Sequence, residues 1–252
     1  MPVRIVIVAE AEADRRQICD LIDRKIRAHS PDWWGEDQIE EEREYCGLKD
    51  GSSFTTWHEL SARGSSEGAL RRGGYIGFRA RRPLHSDYPE ARNALINCIL
   101  APSKVDVVVL VRDMDDQPKE RANSLAQARD DVPPDALRVV LALPETEREA
   151  WVLNGFEPRD ATEKAALARV RKELGFDPRL RPEELQAMKH GAKRDPKRVL
   201  KELMGRDHER QASCWRETPW HVLRERGQGS GLTQFLAEVK EKLVPLVTGQ
   251  PI

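Results

Sequence analysis

The chain has 252 residues, of which 39% are hydrophobic and 34% charged, and its formal net charge is −1. This length and the clear apolar runs indicate a folded protein with a buried core and exclude a disordered chain. The longest apolar runs, at residues 3–9 and 105–111, are far too short to span a bilayer, and no secretory signal is recognisable. We therefore expect a cytoplasmic protein that does not enter a membrane.

The cysteine and histidine spacings argue against two common kinds of site. The four cysteines, Cys19, Cys46, Cys98 and Cys214, lie far apart and form no CxxC pair. A disulfide framework and a cysteine-bound zinc ion are both unexpected in such a chain. The six histidines show no HxxxH spacing, so we interpret them as surface or packing residues.

The first part of the chain predicts a strand, a helix and an insertion. Residues 4–9 form a continuous β-branched run, which is typical of a buried parallel strand. The apolar spacing in residues 10–28 predicts an amphipathic helix. No clear period follows, so we predict an insertion at about residues 30–85, within which residues 73–78 could form a short strand. Residues 87–100 predict a second amphipathic helix.

The next part alternates between strands and helices. Residues 105–111 and 137–143 predict core strands, whereas residues 118–129 and about 145–154 predict helices. Strands that alternate with helices imply right-handed crossovers and a parallel sheet that is covered on both faces. The predicted fold class is therefore α/β, with a parallel sheet flanked by helices.

The C-terminal third predicts helices alone. They are expected at residues 161–174, 183–189, 196–204 and 232–247. We therefore predict an α/β domain at residues 1–155, which includes the insertion, and a helical C-terminal region at residues 156–252.

Acidic residues follow each of the three best strands. The first strand is followed by Glu10 and Glu12, the second by Asp113, Asp115 and Asp116, and the third by Glu145, Glu147 and Glu149. Because the carboxyl ends of parallel strands share one edge, these side chains are expected to converge. Carboxylate oxygens suit Mg²⁺ or Mn²⁺. Alternatively, acids at helix starts interact with the helix dipole without any metal.

Several segments resemble a known family. The segments Ile5-Val6-Ile7-Val8-Ala9-Glu10 and Val108-Val109-Leu110-Val111-Arg112-Asp113-Met114-Asp115 resemble the Toprim pattern, in which one strand ends in Glu and a later strand in Asp-x-Asp. Residues 143–153 and 195–198 are similar to segments of small stand-alone Toprim-like proteins related to the overcoming-lysogenization-defect nucleases. The resemblance covers roughly residues 3 to 153, with weaker support to about 204.

The chain departs from the family pattern near its first acidic residue. Ala11 stands where the family usually has Gly, so both Glu10 and Glu12 remain candidates for the first ligand. The stretch between Glu10 and Asp113 is also long, because the insertion lies within it.

The resemblance implies a metal-dependent nuclease. Asp113 and Asp115 would bind one Mg²⁺ or Mn²⁺, and Glu10 would complete its ligand set or act as the general base, so these three are the implied catalytic residues. Glu147 and Glu149 could help to hold a second ion. Many such proteins are encoded beside an ATPase in antiphage systems, which implies an oligomeric complex with a separate ATPase. The sequence contains no GxxxxGK[ST] motif of its own.

Two basic segments are candidates for binding nucleic acid. The first contains Arg71, Arg72, Arg79 and Arg81, and the second contains Lys193 and Lys197. Both could instead be solvated surface, and the first could pair with the acidic part of the insertion. The alternative function is a non-catalytic scaffold of Toprim fold, and a primase-like or RNA-processing enzyme is the third candidate.

Overall fold

The computed structural model describes residues 1–62, 87–115, 117–133, 135–186 and 191–250. The predicted strand at residues 73–78 and the arginines Arg71, Arg72, Arg79 and Arg81 lie outside these ranges. The described chain forms two compact units. The first, here called the sheet unit, comprises residues 1–112, 119–142 and the chain from residue 236 onward. The second, the helical unit, comprises residues 113–118 and 143–235.

The sheet unit contains a five-stranded sheet whose strands all pair in parallel. The strands are β1 (Val3–Ala9), β2 (Arg43–Cys46), β3 (Thr55–Thr56), β4 (Val107–Val111) and β5 (Arg138–Ala142). The strand order is β2-β1-β4-β5. Strand β3 also pairs with β1, at Val8 and Ala9, after the residues of β1 that pair with β2. Every residue of β4 is buried, as expected for a central parallel strand covered on both faces.

Two of these strands were not recognisable from the sequence pattern. The strands β2 and β3 come from the predicted insertion and extend the sheet beside β1. Strand β2 is polar because its side chains bind a neighbouring helix. Arg43 donates two hydrogen bonds to Asp23, at 2.9 and 2.8 Å, and the Tyr45 hydroxyl donates to the same carboxylate at 2.8 Å. The sequence of β2 therefore lacks the apolar pattern from which a strand is predicted.

Within the described part of residues 1–133, five helices accompany the sheet. They are α1 (Glu12–Arg27), α2 (Glu36–Glu42), α3 (Trp57–Ala62), α4 (Asp87–Ile99) and α5 (Pro118–Asp130). The predicted apolar face of α1 is confirmed, since Ile18, Leu21, Ile22 and Ile26 are all buried. Hydrophobic burial of this stripe attaches the helix to the core of the unit.

The helical unit is built from short helices. They are α6 (Glu149–Asn154), α7 (Ala161–Leu174), the 3₁₀ turn Pro182–Glu184, α8 (Pro196–Met204), α9 (His208–Arg216) and α10 (Trp220–Arg226). Its core includes Trp151, whose ring stacks on Phe235 at 5.2 Å and whose indole N–H donates to the carbonyl of Ser230 at 2.7 Å. The indole ring is thus packed against another aromatic ring, and its buried N–H has a hydrogen-bond acceptor.

The α/β class, with a parallel sheet flanked by helices and a helical C-terminal part, is confirmed. The prediction of a helix at residues 183–189 was wrong over its described part, because only Pro182–Glu184 is helical and Leu185 is extended. Helix α6 begins at Glu149, four residues later than expected, so Glu145 and Glu147 precede it. No helix within the described ranges is long and apolar enough to cross a membrane.

Within the sheet unit, the part of the last helical segment from Leu236 onward packs along the outer edge of β5. The whole segment comprises Leu232–Glu238, the π-helical turn Val239–Leu243 and Val244–Thr248. The Glu238 carboxylate accepts hydrogen bonds from the Leu141 amide at 3.1 Å and from Arg129 at 2.9 Å. Lys242 donates to the Val139 carbonyl at 3.0 Å. These side chains satisfy backbone groups of a terminal strand that would otherwise face solvent or another chain.

We expect Glu238→Ala to lower the free energy of unfolding by about 1–2 kcal/mol, because it leaves the Leu141 amide and Arg129 without their acceptor. Urea denaturation measures the difference. The matched control is Glu241→Ala in the π-helical turn that follows Glu238, where the side chain is exposed. Equal effects of the two substitutions would contradict the role given to Glu238.

In the helical unit, the carboxylate of Asp177 is paired with two arginines, Arg171 and Arg179. Burial opposes its charge, but hydrogen bonds from Arg179 and Arg171 outweigh burial and lower the pKa of Asp177 to about 2. The native state therefore favours the ionised carboxylate more strongly than the unfolded chain does.

Asp177→Asn is expected to reduce stability near neutral pH by an amount on the order of 1 kcal/mol. Because the native pKa lies below that of an unfolded Asp, this contribution is complete above about pH 4 and is lost as the pH falls towards 2. Denaturation curves at several pH values test this. The exposed Asp50→Asn variant serves as the control, and a pH-independent effect of Asp177→Asn would refute the linkage.

Candidate functional site

The strands β1, β4 and β5 end at one edge of the sheet. Their parallel register pairs Val8 with Leu110 and Leu110 with Leu141. The acidic residues that follow these strands are divided between the two units. Glu10 belongs to the sheet unit, whereas Asp113, Asp115, Glu147 and Glu149 belong to the helical unit. The structure gives the two groups different surroundings.

In the sheet unit, Glu10 lies beside an arginine. Its carboxylate is 3.7 Å from the guanidinium of Arg112, which is also 3.5 Å from Asp87 and 3.6 Å from Glu90. The same guanidinium lies over the ring of Trp57 at 5.1 Å. Arg112 therefore compensates the negative charge at the end of β4.

The alternative first ligand, Glu12, is also engaged. It forms an ion pair with Arg15 one helical turn later at 2.5 Å, and this hydrogen bond lowers the pKa of Glu12. Glu12 is the first residue of α1, where a carboxylate also interacts favourably with the helix dipole. These contacts are those of a helix-terminal acid.

In the helical unit, the loops that follow β4 and β5 run side by side. The amide of Met114 donates to the carbonyl of Pro144 at 3.2 Å, and the amide of Asp115 donates to that of Thr146 at 2.9 Å. Both Asp115 and Thr146 have left-handed backbone conformations, with φ of 44° and 72°. Such a conformation is unfavourable for a β-branched residue, and backbone strain of this kind is concentrated at functional sites.

Asp113 is attached to the loop that bears the other two acids. Its Oδ1 accepts a hydrogen bond from the backbone amide of Arg148 at 3.0 Å. Arg148 stands between Glu147 and Glu149 in the sequence and contacts the Glu149 carboxylate at 3.2 Å. The Asp113 carboxylate is thus bonded to the segment that carries Glu147 and Glu149.

Lys197 forms an ion pair with one of these acids. Its ammonium lies 2.6 Å from Oε1 of Glu147. Burial acts to lower the pKa of Lys197, but the hydrogen bond to Glu147 and the charges of Glu149, Glu147 and Asp113 raise it. Asp195 caps α8 by accepting from the Lys197 amide at 2.8 Å, which holds the lysine at the helix start.

Glu147 is a buried carboxylate with one oxygen that is unsatisfied within the described structure. It is only 8% exposed, and this burial raises its pKa. The hydrogen bond to Lys197 acts to lower the pKa, whereas the nearby charge of Glu149 raises it further. Its second oxygen, Oε2, is buried and has no hydrogen-bond partner among the described residues. A buried oxygen without a donor is costly unless another ligand satisfies it.

The donor chemistry of this group suits a hard divalent cation. The group contains the carboxylates of Asp113, Asp115, Glu147 and Glu149, and the Oε2 atom of Glu147 has no hydrogen-bond partner among the described residues. Over the described part of the chain, however, no set of three or more His, Cys, Asp or Glu residues has the arrangement of a metal site. In this conformation Lys197 pairs with Glu147, and Arg148 pairs with Glu149.

A cavity of about 390 Å³ opens beside Lys197 within the helical unit. Its lining includes the cations Arg148, Lys197, Arg198, Lys201 and Arg206 and the acids Glu149 and Asp195. The cavity could not be derived from the sequence, because its lining combines residues 148–149 with residues between 191 and 211, which are distant in the chain. We call it the basic cavity.

The other predicted site residues lie elsewhere. Lys193 is exposed and does not line the basic cavity, although its carbonyl accepts a hydrogen bond from Arg198. The predicted helix at residues 196–204 is confirmed as α8, so Lys197 lies on it and Lys193 precedes it. Arg198 pairs with Glu173 and Glu202. Asp116 lies outside the described residues.

The fold and this site define an α/β protein with a carboxylate–lysine centre next to a basic cavity. Comparison of the chain with protein-family models, with curated proteins and with solved structures finds no match.

The Lys197→Met variant is expected to lose about 1–3 kcal/mol of unfolding free energy, because it leaves the buried Glu147 carboxylate without its donor. Adding Glu147→Gln should recover part of that loss, which a double-mutant cycle measures. Lys201→Met, one turn further along α8, is the control, because no carboxylate partner of Lys201 occurs among the residues described. If the effects of Lys197 and Glu147 simply added, the pair would have no stabilising role.

Proposed function

We propose that this chain is a metal-dependent nuclease subunit that hydrolyses phosphodiester bonds in nucleic acid with Mg²⁺ or Mn²⁺. The proposal rests on one observation above all: the buried Glu147 carboxylate, which pairs with Lys197 through Oε1, has a second oxygen, Oε2, without a described hydrogen-bond partner. The resemblance to Toprim-like proteins adds the remaining parts of the proposal, namely a cytoplasmic complex with a separate ATPase and a role in antiphage defence.

The residues of the helical unit have distinct proposed roles. Asp113, Asp115, Glu147 and Glu149 would hold the metal, which when bound neutralises the phosphate and lowers the pKa of an attacking water. Lys197 reduces the repulsion among the carboxylates and also lines the basic cavity, so it can offer its charge to a phosphate. The part of Glu10 in the ligand set remains a prediction from the resemblance.

A non-catalytic scaffold is the second candidate, and a specific observation favours it. Lys197 compensates the acids of the helical unit, and Arg112 compensates Glu10 in the sheet unit. Charges balanced in this way can be purely structural. In that case the basic and helical surfaces would serve assembly with the ATPase.

Asp113→Asn and Glu147→Gln are each expected to reduce cleavage by about 100-fold or more, because each removes a metal-binding oxygen. The assay uses plasmid, linear and single-stranded DNA and RNA, with Mg²⁺ or Mn²⁺, with and without an ATPase encoded beside this chain. The exposed Glu225→Gln variant of the same unit is the matched control. Cleavage that both variants retain would indicate another site or a contaminant.

Metal binding provides a second readout that does not depend on cleavage. Mn²⁺ or Mg²⁺ should raise the melting temperature of the wild type, and the rise should be larger in Lys197→Met, where the ammonium no longer competes for the carboxylates. It should disappear in Asp113→Asn. A stable complex with the ATPase, with neither metal binding nor cleavage, would support the scaffold instead.

A further inference from the structure

The basic cavity has an excess of positive charge. Five Lys or Arg side chains line it, against the two carboxylates Glu149 and Asp195. The concentration of cations around a concave surface produces a strong positive potential, which attracts anions.

The cations of the cavity fall into two groups. Arg148, Lys197 and Arg198 each contact a carboxylate, at 3.2 Å, 2.6 Å and 2.9 Å respectively. Lys201 and Arg206 have no such partner in the described structure, and both are exposed. Two uncompensated cations near the C-terminal end of α8 are therefore available to a ligand.

The size of the cavity limits what can enter it. A volume of about 390 Å³ is at the lower end of the range found for small-molecule sites. It can admit a phosphate with its sugar or base, but not a duplex. Arg and Lys are the residues that most often bind phosphate, through charge-assisted hydrogen bonds.

The lining provides little for recognition of a base. Leu200 is its apolar side chain and Gln211 its neutral amide, and no Trp, Tyr or Phe lines the cavity among the described residues. Base stacking on Trp, Tyr or Phe, the usual means of holding single strands, is therefore missing among these residues, and the imidazole of His208 is the aromatic ring that they provide. Binding here would depend on phosphate and would tolerate any sequence.

We infer that the basic cavity binds a phosphate group of a nucleotide, with Lys201 and Arg206 as its principal contacts. The assignment to a strand of nucleic acid rests on the nuclease function proposed above. A free nucleotide has the same phosphate chemistry, so the experiment must separate the two sources. Either ligand would lie beside Lys197, which also contacts the acidic group.

The test compares two double charge reversals in the full-length protein. Lys201→Glu with Arg206→Glu changes the cavity, whereas Lys164→Glu with Lys172→Glu changes two exposed lysines of α7 by the same net charge. Fluorescence anisotropy measures binding of a labelled single-stranded oligonucleotide in EDTA, so that no cleavage is needed. Circular dichroism checks that both variants are folded.

The cavity variant is expected to bind at least about 10-fold more weakly than wild type, and the control variant to lose much less. The salt dependence of binding should also decrease, by a slope of about one, because fewer phosphates are neutralised. If a mononucleotide competes as well as the unlabelled strand at the same total concentration of nucleotides, the ligand is a free nucleotide. Stronger competition by the unlabelled strand would identify nucleic acid.

Equal losses in the two variants, or no binding by wild type, would overturn the inference. The nuclease proposal is tested separately by cleavage with Mg²⁺ or Mn²⁺. Cutting that requires Asp113 but not Lys201 and Arg206 would retain the nuclease and reject the cavity. Binding that requires Lys201 and Arg206, without any cutting, would retain the cavity and reject the nuclease.

Discussion

Parallel pairing is the constraint on which the architecture depends. Because β1, β4 and β5 run in one direction, the chain leaves the sheet at the same edge after each of them. Buried parallel strands must be apolar on both faces, so polar and charged residues are confined to the segments that follow them. The acidic residues after β4 and β5 then continue as two paired loops, in which Asp115 and Thr146 adopt left-handed conformations. The sheet thereby determines where charge can accumulate.

Accumulated negative charge requires compensation, and the protein provides it with its own cations. Lys197 interacts electrostatically with Glu147, Glu149 and Asp113. In the sheet unit, Arg112 forms ion pairs with Glu10 and Asp87. Compensation by a lysine differs from compensation by an arginine, since an ammonium is a compact charge on a flexible stem that can be withdrawn from a carboxylate. Glu147 retains a buried oxygen without a described partner, and this incomplete satisfaction is what supports the proposal of a further ligand here.

Strong periodic patterns were sufficient for the central strands and the long helices. β1 and helices α1 and α7 follow directly from apolar runs or helical spacing, because burial imposes that spacing. Strand β2 was missed because Arg43 and Tyr45 are stabilised by Asp23 through hydrogen bonds, which leave no apolar period. The predicted helix at residues 183–189 was wrong over its described part, because helical spacing alone does not show where a segment turns extended, as it does at Leu185.

The sequence by itself determined the α/β class and the order of the acidic residues after the strands, since both follow from local apolar patterns. Only the tertiary structure decided which cation meets which acid. The contact between Lys197 and Glu147 joins residues 50 positions apart. The lining of the basic cavity likewise combines residues from Arg148 to Gln211. Such contacts depend on how short helices pack, and packing is determined by the whole core and not by local periodicity.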